Sequence, residues 1–283
     1  MAKEKVKERN IWQRIGLLDY RIIYTLVLIL VAIPIWSPIG IPLRVGQNVK
    51  DYADALYALE PGSVVLCKFS GYATMLPDVE PIYMATWKIL LSRPVKFLVL
   101  IQHPDSPSII QYEFERLKPY IDEYGKEYGV DYMFFPYISM TEAAEISFTE
   151  NIRDIFTEDL FGTPLDELPI MENIHSAHDF DLVISMSPEY DTRRYYVPYR
   201  IPLICWGTGT GLLPFVPPYY GYSVLGYCGG ASQGGELELY SGFLGEGVKY
   251  NDAKNLAIIG LMVFIVVGNI AYFGEKLSKG GEK

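Results

Sequence analysis

Three histidines, at positions 103, 175 and 178, are the side chains best suited to move protons near neutral pH. His103 follows an apolar run and stands two residues before Asp105. That order lets a carboxylate orient an imidazole as a general base, although a solvated loop histidine is the favoured reading. His175 and His178 are three apart beside Glu172 and Asp179, a spacing that serves a metal only on a helix. Without an H-E-x-x-H context, no metal is expected. Gly207-Thr-Gly-Thr-Gly211 brings the hydroxyls of Thr208 and Thr210 together, but it runs into Leu-Leu-Pro and not into a clear helix. A phosphate cradle at a helix start is therefore doubtful there, and no cofactor is expected. Cys67, Cys205 and Cys228 form no C-x-x-C pair. Cys67 and Cys205 lie in apolar runs, where a thiol acts as a small hydrophobe.

The elements that must position these groups alternate along the chain. Apolar runs at 63–69, 95–101, 131–138, 181–186 and 201–206 read as buried strands. Helical patterns at 80–92, 109–128 and 141–156 lie between them, and 157–179 reads as an irregular excursion. Continuous apolar strands separated by helices imply a parallel sheet covered on both faces. The expected class is α/β, a Rossmann-like, doubly wound, mostly parallel sheet. Ligands of such sheets sit at the carboxyl ends of the strands. Ser70 follows the first strand, His103 and Asp105 the second, Glu189, Asp191, Arg193 and Arg194 the fourth, and Thr208 and Thr210 the fifth. The ligand-binding candidates are Ser70, His103, Asp105, Arg193, Arg194, Thr208 and Thr210.

Two uncharged stretches frame this region. Residues 22–43 hold no charge between Arg21 and Arg44, and at about 1.5 Å per residue they suffice for a ~30 Å hydrocarbon core. The stretch 255–273 carries none from position 256 onward and ends in Tyr272-Phe273, as an interfacial belt would. The expected organisation is a basic tail (1–21), a transmembrane helix (22–43), the α/β domain (44–220), a Gly-rich juxtamembrane packing segment (221–254), a second transmembrane helix (255–273) and a short tail (274–283). The whole chain carries −10, residues 1–21 carry +3 and residues 274–283 carry +1, so the middle carries −14. A domain this acidic repels phosphate backbones, which excludes nucleic acid as a partner. Nine basic residues lie on the outer flanks against four on the inner ones (Arg44, Lys50, Lys249 and Lys254), which places both termini in the cytoplasm and the main domain outside the cell membrane. The bilayer is thus the first expected partner.

Gly226, Gly230 and Gly234 are spaced by four and would form one bare stripe on a helix, open to close backbone contact. Gly268 and Asn269 offer a similar contact in the second apolar stretch. These five are the candidate oligomer interface. The layout resembles a prokaryotic membrane-protein family in which a Rossmann-like domain lies between two single transmembrane helices. Residues 225–238 (LGYCGGASQGGELE) and 36–42 (WSPIGIP) carry the resemblance. It implies no activity. With no complete catalytic motif, the favoured expectation is a non-catalytic, homo-oligomeric membrane scaffold. The alternative is a membrane-tethered enzyme or sensor holding a small polar ligand at the strand ends.

Overall fold

Short apolar runs bounded by turn residues become strands here, and every paired strand is parallel. A computed structural model describes residues 11, 19–41, 44–139 and 141–280. The expected basic tail lies almost wholly outside them, as do residues 281–283. Two compact units are present, Met1–Pro42 with Lys249–Lys283, and Leu43–Val248.

In chain order the elements are α1 (Tyr20–Trp36), which belongs to the smaller unit, then α2 (Gln47–Tyr57), β1 (Val64–Phe69), α3 (Leu76–Ser92), β2 (Lys96–Ile101) and α4 (Ser106–Glu123). Next come β3 (Tyr132–Phe134), α5 (Glu142–Glu150), β4 (Leu182–Ser185) and α6 (Pro188–Asp191). A π-helix (Thr192–Tyr196), α7 (Val197–Tyr199), β5 (Leu203–Gly207) and α8 (Gly209–Leu212) follow. The last elements are β6 (Val224–Gly229), α9 (Gly230–Ser241) and α10 (Glu246–Gly280).

The sheet order is β3-β2-β1-β4-β5-β6, the doubly wound arrangement expected from the alternating pattern. Its connections reverse direction between β1 and β4, where Val65 pairs with both Phe97 and Leu182. Alternation along β1 sends Val65, Cys67 and Phe69 into one core and Leu66 into the other. Lys68 shares the face of Leu66.

Several boundaries differ for local reasons. β3 stops at Phe134, because Pro136 cannot donate to a ladder. α4 runs through Pro119 but ends at Glu123, ahead of Gly125 in the left-handed region at φ 62°. The stretch 221–254, expected as a separate packing segment, instead supplies β6 and α9 to the sheet domain. Glycines hid this strand by diluting its apolar pattern.

Among the described residues of the smaller unit, one helix, Glu246–Ser278, is long and apolar enough to cross a membrane. α1 has 17 residues and falls short, which corrects the expectation of two equivalent spans. Ser37 leaves the helix at φ −143°, the extended geometry that the following Pro38 imposes. The chain beyond it is pinned by Asp252, whose buried carboxylate accepts the N–H groups of Ile39 (2.8 Å), Gly40 (2.8 Å) and Ile41 (2.9 Å).

Candidate functional site

β1 places one charged side chain, Lys68, in an otherwise apolar strand, near its carboxyl end. Its face is covered by α5, which brings Glu145, and by the segment after β4, which brings Asp191, Arg194 and Tyr195. Thr141 caps α5 by accepting Ala144 N–H, so Glu145 enters the first turn aimed at the sheet. The π-helix after Asp191 turns Tyr195 fully inward and Arg194 partly so, a distortion that recurs at functional sites.

These groups form one buried network. Lys68 Nζ lies 2.5 Å from Asp191 Oδ1 and 3.5 Å from Glu145 Oε1. Glu145 Oε1 also accepts Gln102 Nε2 at 2.9 Å, and Arg194 Nη1 lies 2.5 Å from Glu145 Oε2. Ser185 Oγ donates to Asp191 Oδ2 and accepts Ser187 N–H at 2.9 Å. Lys68 Nζ sits 5.5 Å from the centre of the Tyr195 ring. The Tyr195 hydroxyl is buried without a hydrogen-bond partner among the described residues, and burial pushes its phenol well above its ordinary pKa. Two cations and two anions balance, yet each ion loses several kcal/mol of hydration on burial, by an order-of-magnitude estimate. An apolar filling would hold the sheet at least as well, so the network is weak evidence of a purely stabilising role.

The candidates named from sequence divide around this network. Arg194 belongs to it. Arg193 is exposed and pairs with Glu189 across one helical turn at 2.7 Å. Ser70 is half-buried just after β1. His103 Nδ1 accepts the backbone N–H of Asp105 at 3.2 Å, while the Asp105 carboxylate is 3.9 Å away. The carboxylate therefore makes no hydrogen bond that would orient the imidazole, and His103 packs on Tyr72, ring centres 5.1 Å apart. Thr208 caps α8 by accepting Gly211 N–H at 3.0 Å, and Thr210 is exposed on the same turn. Asp78 takes the N–H groups of Gly209 (3.1 Å) and Ala231 (3.0 Å), so the Gly-Thr-Gly run is tied to α3 by a carboxylate. His175 Nδ1 lies 3.1 Å from Arg153 Nη1, and His178 packs edge-on to Tyr199. Among the described residues no group of three or more His, Cys, Asp or Glu could hold a metal.

Sequence reasoning missed Lys68, Gln102, Glu145, Ser185 and Tyr195. One signal was legible: a lysine inside a continuous apolar strand. Glu145, more than 70 residues away, carries no such mark.

The proposed glycine interface is also rearranged. Gly226 lies on β6, Gly230 at the start of α9 and Gly234 inside it, so they share no helix stripe. A Cβ on Gly226 would come within 2.1 Å of Tyr52 N, and one on Gly234 within 2.7 Å of Pro81 Cβ. Both close approaches are spent inside the domain. Gly268 has nothing within 4 Å of a built Cβ, and Asn269 donates to Ile265 O of its own helix at 2.8 Å.

No family model and no curated protein matches this chain. Solved structures with similarity include the C-terminal domain of a glycosyl transferase group 1 family protein, LpcC, from Francisella tularensis. It has a TM-score of 0.35 and 10% identity, covering 77% of this chain and 93% of that one. Another is HepE of Anabaena in complex with UDP and glucose, at a TM-score of 0.32 and 14% identity, covering 81% of this chain and 52% of that one. Scores this low transfer no activity. The expectation of a non-catalytic assembly scaffold is nonetheless corrected at the interface it relied on, because Gly226 and Gly234 make their close contacts inside the domain.

Proposed function

We propose that this chain is a membrane-tethered protein that binds a small polar ligand at the carboxyl ends of β1, β2 and β4, as an enzyme or a sensor. The buried Lys68–Asp191–Glu145–Arg194 network carries this reading, because it concentrates ionic groups where doubly wound sheets hold their ligands. Tyr72 and His103, which follow β1 and β2, pack on each other with ring centres 5.1 Å apart. The test is thermal-shift screening of the full chain in mild detergent against nucleotides including UDP, sugars including glucose, and amino acids. Lys68→Met/Asp191→Leu is screened in parallel. A stabilising compound for the native chain that leaves the double variant unmoved supports the site; equal response of both sinks it.

The tether is α10, with α1 as a second, shorter pass. Leu30 approaches so closely that a Cβ on Gly260 would meet its Cδ1 at 2.6 Å, which supports a packed pair. At about 25 Å, α1 needs its extended continuation or a locally thin bilayer to cross. Both termini are then cytoplasmic and the sheet domain is outside, the arrangement that the flanking charges favour. The three native cysteines are buried. A Lys276→Cys chain should therefore resist an impermeant maleimide in intact cells and react after lysis; immediate labelling reverses the orientation.

A further inference from the structure

On the face of the sheet opposite to Lys68, within the larger unit, a cleft of about 190 Å³ lies among α3, α4, α9 and the first turn of α10. Glu80, Met84 and Lys88 recur at every fourth position of α3, so they line it as one stripe. Glu238 of α9 and Glu246 of α10 add two carboxylates, and Arg116 closes the wall from α4. The Arg116 side chain is 37% exposed, so the cleft opens to solvent at that end.

Partners are shared unevenly among these charges. Arg116 Nη1 lies 2.5 Å from Glu80 Oε1 and 2.7 Å from Glu113 Oε2. Glu238 is buried and accepts the N–H groups of Gly245 (3.1 Å), Gly247 (3.1 Å) and Val248 (2.9 Å). Lys88 is 8% exposed, yet among the described residues its Nζ makes no hydrogen bond or ion pair. It stands 4.9 Å from the centre of the Tyr120 ring. Tyr120 is one turn beyond Arg116 on α4, so the ammonium reaches from α3 toward the α4 side of the cleft. Its charge also acts on Glu238, whose carboxyl is raised by burial and held down by those N–H groups and by Lys88. Lys68, buried to a similar degree, has two carboxylates within 3.5 Å. A ring face attracts the Lys88 charge but accepts no directed set of three N–H bonds, so these donors await an acceptor.

An occupant must bring oxygen acceptors to Lys88. It must also suit a wall of three carboxylates and two cations, which a simple anion would make more negative. A zwitterion meets both demands. Each carboxylate offers several lone pairs, so Glu80 and Glu246 can take an ammonium beside the partners they already have. The volume is below that of drug-sized sites, so the occupant is small. We infer that this cleft binds a small α-amino acid, its carboxylate on Lys88 and its ammonium toward Glu80 and Glu246.

The test is isothermal titration of the full chain in a maltoside detergent with glycine, L-alanine and L-serine. Acetate and ethylamine, each carrying one of the two charges, are the comparison. At least one amino acid should bind at a single site, and both comparison compounds at least about tenfold more weakly, as the loss of one charge-assisted hydrogen bond implies. Lys88→Met keeps the apolar stem and should abolish binding without lowering the melting temperature, because it removes an ammonium that has no counter-ion within reach. Glu246→Gln should weaken the amino acid and leave acetate unchanged. Absence of binding by all three amino acids, acetate binding as tight as theirs, or full binding by Lys88→Met overturns the inference. Lys68→Met/Asp191→Leu should bind the amino acid like the native chain. Loss of binding there, with Lys88→Met unaffected, assigns the amino acid to the strand ends and overturns the cleft.

Discussion

Removing Lys68 alone should harm this protein far more than removing Lys68 and Asp191 together. In Lys68→Met, Glu145 keeps Gln102 at 2.9 Å and Arg194 at 2.5 Å, so its charge remains compensated. Asp191, 0% exposed, keeps only the Ser185 hydroxyl among its side-chain partners. One buried carboxylate is left without a counter-ion, a loss of about 3–5 kcal/mol. For a domain of this size that is a melting-temperature drop of roughly 10 °C. Lys68→Met/Asp191→Leu removes both charges and fills the space with apolar atoms, so its stability should lie within about 1 kcal/mol of the native chain or above it. The assay is thermal unfolding by circular dichroism of the three full-length chains in one mild detergent. Equal melting of the single and double variants would refute the reasoning, because the two charges would then not be coupled.

The internal use of the glycines can be checked at Gly226→Ala, whose added carbon would meet the Tyr52 backbone at 2.1 Å and cannot be relieved by a rotamer change. A loss of about 3 kcal/mol or more is expected, against a small effect for Leu225→Ala on the same strand at 44% exposure; native-like melting of Gly226→Ala would contradict the packing. A pH effect is expected at Glu238, whose carboxyl burial raises, while the N–H groups of Val248, Gly247 and Gly245 oppose the shift. A raised folded-state value means that its contribution to stability is full below the ordinary carboxylate range and lost as pH rises through the raised value. Melting temperatures followed from about pH 4 to pH 7 should therefore move in favour of Glu238→Gln relative to the native chain; a constant difference would count against the shift.

What the sequence alone determined is the part encoded in local pattern. Apolar runs such as 95–101 between helical stretches require a buried parallel sheet, and the uncharged run in 255–273 requires an apolar surround. Both follow from the period and length of hydrophobic residues, which any single stretch displays. Tertiary structure decided what depends on distant partners. Gly226 and Gly234 looked like a surface stripe, yet they are bare because Tyr52 and Pro81 come against them. β6 was hidden for the same reason: two of its six residues, Gly226 and Gly229, have no side chain to sustain an apolar pattern. The site divides likewise. Its location at the strand ends follows from sheet topology, but Lys68, Glu145 and Asp191 come from three segments whose spacing in sequence says nothing of their separation in space. A buried charge is stable only beside its opposite, and that neighbour is chosen by the fold.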